Sequence, residues 1–188
     1  MRSVESQERK IIEIKKAGSF DKNEDLNPGA NILKKNDDTR VHLFHEGMNI
    51  YSDYALFFKQ KNSFKATGNV VVKQGDSITL ISKILDYNGN DRKIIAKGNV
   101  DFSNKETNLK TEILYHDRNK KEFFFEDWGV IKDSLTTISS EEGKYFQNES
   151  KYKFQKNVFI ENPDYTIDSD ELDYYTKSEH AFFYGPTK

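Results

Sequence analysis

The sequence predicts an all-β fold in which copies of a unit of about 29 residues stack as rungs of a folded sheet. Three observations lead to this prediction. Apolar residues recur at a fixed interval along the chain, they alternate with other residues within each unit, and turn-forming residues separate the runs. An internal repeat of this length with period-two alternation is typical of stacked β architectures.

The repeat is anchored by the tripeptide Gly68-Asn69-Val70, which recurs as Gly98-Asn99-Val100. Two apolar columns keep the same step of 28 to 30 residues: Val41, Val70, Val100, Val130 and Val158, and Ile50, Leu80, Leu109, Ile138 and Ile167. Residues 11–36 predict a degenerate additional rung before them. The chain is therefore expected to hold five to six repeats, with equivalent residues stacked above one another.

Within each unit the apolar residues favour strands rather than helices. Val70 and Val72 alternate with Val71, and Val100 and Phe102 alternate with Asp101. Because successive side chains of a strand point to opposite faces, this alternation predicts one face turned inward. Turn-forming pairs fall between the runs, and the Asn88-Gly89 pair suits a tight turn with positive φ.

Composition narrows the function classes. The 188 residues carry a net charge of −2 without a basic stripe, so no nucleic-acid partner is expected. The chain has no cysteine, which excludes disulfides, zinc–thiolate sites and cysteine nucleophiles. No apolar run reaches the roughly 18 residues that a spanning helix needs. Residues 1–10 are predicted to be a disordered or processed N-terminus without a signal peptide, and 11–188 a single domain.

The repeat and its motifs resemble the OstA/LptA-like family of lipopolysaccharide-transport proteins, in the branch found in Bacteroidetes. The resemblance covers about residues 11–188. It rests on these segments: Phe44-His45-Glu46-Gly47-Met48, Tyr51-Ser52-Asp53, Asn62-Ser63-Phe64-Lys65-Ala66-Thr67-Gly68-Asn69-Val70, Lys73-Gln74-Gly75-Asp76, Leu85-Asp86-Tyr87, Ala96-Lys97-Gly98-Asn99-Val100 and Phe183-Tyr184-Gly185-Pro186-Thr187.

The resemblance implies a periplasmic β-jellyroll, a folded sheet with an apolar slot that shields the acyl chains of lipid A. It implies end-to-end association and partners in the inner- and outer-membrane transport machinery, with no enzymatic activity, cofactor or metal. The lipid-binding positions implied in the slot are Val70, Val72, Ile78, Leu80, Val100, Phe102, Leu109, Ile113, Phe124, Val130, Ile138, Val158, Ile160 and Ile167.

The residues leave two other functions open. Periodicity does not distinguish a slot from a sealed core, so a structural or adhesive β-solenoid remains. A polysaccharide-active enzyme would need carboxylates grouped on one face, and a partial acidic column exists: Asp53, Glu112, Glu141 and Asp170. His42 and His45 point to opposite faces of a strand, so both are interpreted as surface histidines rather than a metal pair.

Overall fold

In the computed structural model, which describes residues 10–105 and 107–188, the chain forms one antiparallel sheet of seventeen strands. This confirms the all-β prediction. The prediction for residues 1–9 lies outside the described residues, and the single-domain assignment of 11–188 stays a prediction. Among the described residues, no helix is long and apolar enough to cross a membrane.

The strands are of two lengths. The short ones are β1 (Glu13–Lys16), β2 (Ser19–Lys22), β3 (Asn31–Lys34), β4 (Val41–His45), β5 (Met48–Ser52), β6 (Tyr54–Phe58), β11 (Glu122–Phe125), β12 (Gly129–Lys132), β13 (Thr137–Ser140) and β14 (Glu142–Phe146). The long ones are β7 (Ser63–Gln74), β8 (Ile78–Asn88), β9 (Lys93–Ser103), β10 (Asn108–Asp117), β15 (Lys151–Asn162), β16 (Tyr165–Tyr175) and β17 (His180–Thr187).

The chain crosses the sheet in passes, each called a row, and every row bends near its middle at a corner. In β7 the corner is a β-bulge between Thr67 and Val70, whereas β5 and β6 form one row that breaks at Asp53. The corners divide the sheet into two facing leaves. The front leaf holds β2, β3, β6, β11 and β14, the back leaf holds β1, β4, β5, β12 and β13, and the long strands cross from one leaf to the other.

Glycine and asparagine recur because the corner needs left-handed backbone. Gly68 has a φ of 80° and Asn69 a φ of 45°, and Gly98 and Asn99 repeat this with 83° and 48°. Most L-residues avoid this region, but glycine and asparagine adopt it at low cost. Each 29-residue repeat therefore comprises two rows that run in opposite directions. The glycine–asparagine corner occurs in every second row.

A column of small hydroxyl residues completes the corners. Their side-chain oxygens donate to the backbone carbonyl two residues later, at 2.8–3.1 Å: Ser52 to Tyr54, Ser82 to Ile84, Ser140 to Glu142 and Ser169 to Glu171. All four serines are buried. Each bond links the two sides of a corner and gives a buried hydroxyl an acceptor.

The space between the leaves is a continuous apolar core. Valine, leucine and isoleucine side chains of the back leaf meet larger side chains of the front leaf, such as Phe64, Phe123 and Phe154. Phe102 of the back leaf packs against Phe123 of the front leaf with ring centroids 4.4 Å apart. Fully burying each such side chain contributes about 1.5–3 kcal/mol, so the interior supplies the main stabilisation of the fold.

Candidate functional site

The candidate site is the space between the leaves and the line along which it is closed. This line, the seam, runs opposite the corners. There the row ends of the front leaf, at 59–62, 89–92, 118–121, 147–150 and 176–179, face those of the back leaf, at 46–47, 75–77, 104–105 and 133–136. Side-chain contacts, not a β-ladder, join the two leaves across the seam. Their chemistry differs along its length.

At the N-terminal end the seam is closed by a buried ionic network around Glu46. Its carboxylate lies 2.9 Å from Arg92 Nε, in an ion pair without hydrogen-bond geometry, and 3.5 Å from Arg118 Nη1. The Arg118 side chain is only 4% exposed, and it also donates to the Tyr87 hydroxyl at 2.8 Å. Glu46 and the two arginines come from opposite leaves, so the network holds the leaves together.

His45 extends this network into the interior. It is 1% exposed, its Nδ1 lies 2.7 Å from the Tyr87 hydroxyl, and its Nε2 lies 3.1 Å from the Lys10 carbonyl oxygen. The prediction of a surface histidine is therefore wrong for His45, because its strand turns that position inward. Burial raises the pKa of the Tyr87 phenol, opposed by the nearby Arg118 charge, so Tyr87 bridges as a neutral hydroxyl.

A second buried histidine lies beside this network. His116 stacks on Phe123 with ring centroids 3.7 Å apart. Burial, together with the Arg118 charge, lowers the pKa of His116 to about 3. The ring is therefore neutral near pH 7 and packs as an aromatic side chain.

In the middle of the seam the bridge is neutral. The hydroxyls of Thr107 and Tyr152 lie 2.7 Å apart and are buried. Tyr152 stacks on Tyr145 at 4.4 Å and lies parallel to Phe154 at 5.5 Å, so aromatic rings fill the interior behind this contact. The interior is thus closely packed over the N-terminal and central rows, apart from a shallow hollow of about 140 Å³ at the seam that Ile78 and Phe102 border.

At the C-terminal end the interior opens into a cavity of about 290 Å³ between the leaves. Its back-leaf wall is Ile138, Ile160 and Ile167, and its front-leaf wall includes Leu172 and Phe183. Aliphatic and aromatic side chains from both leaves form its walls. The arrangement matches the usual character of small-molecule sites, which are concave and mostly apolar.

Polar groups lie at the mouth of this cavity. The Tyr174 hydroxyl donates to Asp133 Oδ2 at 2.5 Å, which bridges the leaves at this end of the seam. Burial raises the pKa of the Tyr174 phenol above its usual range, and the Asp133 and Glu179 carboxylates raise it further. The mouth therefore carries a negative field around a neutral phenol.

The sequence matches one known protein family over most of its length. The family model described as OstA-like protein matches residues 9–170. The chain belongs to the OstA-like protein family. No curated protein matches it.

Among solved structures, this family member is similar to LptH from Pseudomonas aeruginosa, described as the LptA-homologous periplasmic component of the conserved lipopolysaccharide transport device. The two chains are 14% identical over 72% of this chain and 80% of that one, with a TM-score of 0.31.

Most positions predicted to line the slot lie on the inner face of the leaves. Those that are buried there are Val70, Val72, Leu80, Val100, Phe102, Leu109, Ile138, Val158 and Ile160. Ile78 and Ile167 are partly buried and pack against the same core. Ile138, Ile160 and Ile167 also line the cavity, where Leu172, Tyr174 and Phe183 were not predicted. Contact of these residues with lipid stays a prediction.

The predicted inward placement is wrong for Ile113 and Phe124. In β10 the bulge between Thr111 and Ile113 adds a residue, which turns Ile113 outward and Leu114 inward. Phe124 lies on the outer face between the buried Phe123 and Phe125. There it stacks on Tyr115 at 4.7 Å and borders an outer hollow of about 550 Å³.

Val130 is also turned outward, because this row departs from the Gly-Asn-Val pattern. Trp128, with a φ of 51°, takes the left-handed position that Asn69 and Asn99 take in other rows. Gly129 then faces inward, and a Cβ on it would lie 2.4 Å from the Phe125 ring. The glycine makes room for that ring, and Val130 follows on the outer face.

The acidic column that suggested an enzyme has a structural role at the corners. Asp53 accepts from Asn69 Nδ2 at 2.7 Å, and Glu141 accepts from Asn157 Nδ2 at 2.5 Å. Glu112 accepts from the Asn99 backbone N–H at 3.1 Å. Each of these three carboxylates thus holds the left-handed turn of a neighbouring row. Within the described ranges, no group of three or more histidine, cysteine, aspartate or glutamate residues is arranged to hold a metal ion.

Proposed function

We propose that the chain is a periplasmic lipopolysaccharide-transport protein that shields acyl chains of lipid A between its two leaves, as part of a bridge to the outer membrane. The observation that carries this proposal is the apolar cavity at the C-terminal end, which continues the apolar core between the leaves. Membership of the OstA-like family supports it.

The physical need for such a protein follows from the hydrophobic effect. Each methylene group transferred out of water gains about 0.8 kcal/mol, so a lipid with several acyl chains does not cross an aqueous space unescorted. The cavity of about 290 Å³ lies at the lower limit of ligand-site volumes. It holds part of one chain, and further chains require the leaves to separate. The seam consists of side-chain contacts, so the leaves part without breaking a β-ladder.

Photo-crosslinking with purified lipopolysaccharide tests this proposal. A photo-reactive residue at Ile138, Ile160 or Leu172 is expected to capture the lipid, because these side chains line the cavity. The same residue at Lys153, between the buried Tyr152 and Phe154, faces outward and is the control. Capture at Lys153 alone, or at none of these positions in folded protein, would overturn lipid binding between the leaves.

The exposed edges of the sheet support end-to-end association with a second copy or with membrane components. At one end β17 is paired with β16, and most of its side chains are exposed, including Phe182 and Tyr184. At the other end β2 is paired with β3. Exposed edge strands accept a further strand from another chain. Sedimentation velocity over a wide concentration range is expected to show self-association, and a concentration-independent monomer would contradict it.

A structural β-solenoid with a closed core is the second candidate. It is favoured by the closed seam over the N-terminal and central rows, where Arg118 and Tyr152 bridge the leaves. Crosslinking separates the two functions, because a sealed core captures no lipid at Leu80 or Phe102 under any condition. Lipid capture at those positions in addition to Ile138 would exclude the structural candidate.

A further inference from the structure

The turns on the front-leaf side of the seam are joined to one another. Each of them ends on a residue with left-handed backbone, and φ lies between 48° and 57° at these positions: Asn62, Arg92, Lys121, Ser150 and Glu179. The carbonyl oxygens of the first four accept a backbone N–H from the first residue of the next front turn, at 2.8–3.1 Å: Gly89, Arg118, Gln147 and Thr176. These turns therefore form one continuous hydrogen-bonded edge, called the front rim.

The back-leaf turn at 133–136 is instead bonded to itself. The Asp133 N–H donates to the Thr136 carbonyl oxygen at 3.1 Å, and the Thr136 N–H donates to Asp133 Oδ1 at 3.1 Å. Two side chains tie this turn to other rows: the Tyr174 hydroxyl donates to Asp133 Oδ2 at 2.5 Å, and Asn162 Nδ2 donates to Thr136 Oγ1 at 3.2 Å. Within the described ranges, no main-chain bond joins it to another back-leaf turn. The turn therefore moves without breaking a ladder.

This self-contained turn lies at the mouth of the C-terminal cavity, because all four of its residues line that cavity. Leu135 at the tip of the turn is 69% exposed, whereas Ile160 and Leu172 in the cavity walls are buried. Covering an apolar side chain is favourable in proportion to the area removed from water. An alkyl chain in the cavity would supply the apolar surface that Leu135 lacks.

We propose that the turn at 133–136 is a lid over the C-terminal cavity: when an alkyl chain enters, the turn swings towards the front rim and lays Leu135 on the chain. The front rim is the fixed side, because its turns are bonded in series and do not move one at a time. Closure of the lid removes water from the chain and thereby strengthens binding. The inference rests on the proposed function and names the moving part of its binding site.

The contribution of Leu135 is measured with decyl maltoside, a single-chain amphiphile with an uncharged head, below its critical micelle concentration. Isothermal titration calorimetry of the full chain gives the Kd. The variant Leu135→Gln changes an exposed side chain and removes its apolar surface, and it is expected to weaken binding about tenfold. The matched control is Leu26→Gln, which changes another exposed leucine in the turn between β2 and β3 and is expected to leave the Kd unchanged.

Amide hydrogen exchange of the same protein shows which side of the seam moves. The amides of Ser134 and Leu135 in the lid are expected to exchange faster than those of the front rim in the free protein, and to slow down when decyl maltoside binds. The amides of Gln147 and Thr176 are expected to stay protected in both states, because each donates to the preceding front turn.

The outcomes separate this inference from the proposed function. Equal binding by Leu135→Gln and the natural sequence overturns the lid and leaves lipid binding between the leaves intact. Exchange that slows as much in the front rim as at 133–136 also overturns the lid, because the two sides of the seam then move together. Absence of binding by the natural sequence overturns the alkyl-chain site of the proposed function, and the lid with it.

Discussion

The two ends of the interior are closed by different chemistry. At the N-terminal end, Glu46, Arg92 and Arg118 form an ionic bridge, with Tyr87 as a further acceptor. At the C-terminal end, a hydrogen bond from Tyr174 to Asp133 crosses the seam beside an open cavity. Separating buried charges costs much free energy. The hydrogen bond of one phenol at the cavity mouth costs less to break, because water can take the place of the phenol. The leaves are therefore locked together at the N-terminal end, whereas the space between them is accessible at the C-terminal end.

The largest difference between the ends is expected for Glu46→Gln. This change leaves the buried Arg118 and the neighbouring Arg92 without their counter-charge, which costs about 3–5 kcal/mol of unfolding free energy. The control is Glu122→Gln, because Glu122 pairs with Lys144 at 3.4 Å near the surface. Its expected cost is below about 1 kcal/mol. Equal losses in urea unfolding would show that the N-terminal network does not lock the leaves.

Two leucines compare packing at the two ends. Leu114 and Leu172 are both fully buried, but only Leu172 borders the cavity. Leucine-to-alanine changes cost about 2–5 kcal/mol, depending on how many packing contacts are lost. Leu114→Ala is expected near the upper end and Leu172→Ala near the lower end of this range. Denaturant unfolding measures both, and a larger cost at Leu172 would mean that the cavity is not open in solution.

The pH dependence of the unfolding free energy is expected to reflect the buried, neutral His116 near the N-terminal end of the seam. Its pKa is about 3 in the folded protein and 6.5 as the ordinary value, so only the unfolded chain takes up its proton between these values. The stabilisation is therefore present above pH 6.5 and is lost as pH falls towards 3. At pH 5 the loss is about 2 kcal/mol.

The variant His116→Phe keeps the ring stacked on Phe123 and removes the titrating group. Its unfolding free energy is expected to fall less than that of the natural sequence between pH 7 and pH 5, by about 2 kcal/mol. Parallel pH profiles of the two proteins in urea unfolding would refute a buried neutral His116.

The smallest effect is expected for Tyr174→Phe, which removes the bond across the seam at the open end. A single partly exposed hydrogen bond contributes about 0.5–1.5 kcal/mol. Tyr87→Phe removes the same atom at the other end and leaves Arg118 and His45 without this partner. Its expected cost is about 1.5–3 kcal/mol. Thermal unfolding measures the loss of stability in both variants. A larger loss for Tyr174→Phe than for Tyr87→Phe would contradict the proposed difference between the two ends.

The parts of the fold that repeat could be predicted from the sequence. The interval between Val70, Val100 and Val158 arises because every second row returns to the same corner. The alternation within each strand therefore predicted correctly that these side chains point inward. The prediction was wrong at Ile113 because the corner of β10 shifts the alternation by one residue. It was wrong at Val130 because Gly129 takes the inward position that valine takes in other rows. Whether a corner inserts a residue depends on pairing with the neighbouring row, which the alternation of one strand does not contain.

The seam could not be predicted, because its residues do not repeat. Arg118 donates to the Glu46 carbonyl oxygen across 72 positions of sequence, and among the described residues no other rung shows an equivalent pair. The cavity residues Leu172 and Phe183 also needed the facing leaf to be known. The pattern within a single strand indicates which face is apolar. It does not indicate which side chain of the opposite leaf packs against that face.

The corner has a consequence for the length of the molecule. Three corners use a carboxylate and an asparagine from adjacent rows, as with Asp53 and Asn69. Adding or deleting one 29-residue unit leaves every other corner intact, and stacked repeats interact with their nearest neighbours alone. Two rows add roughly 9–10 Å along the stacking direction. The length of such a sheet along the stacking direction is therefore adjustable in discrete increments, by duplication of a short coding segment rather than by redesign.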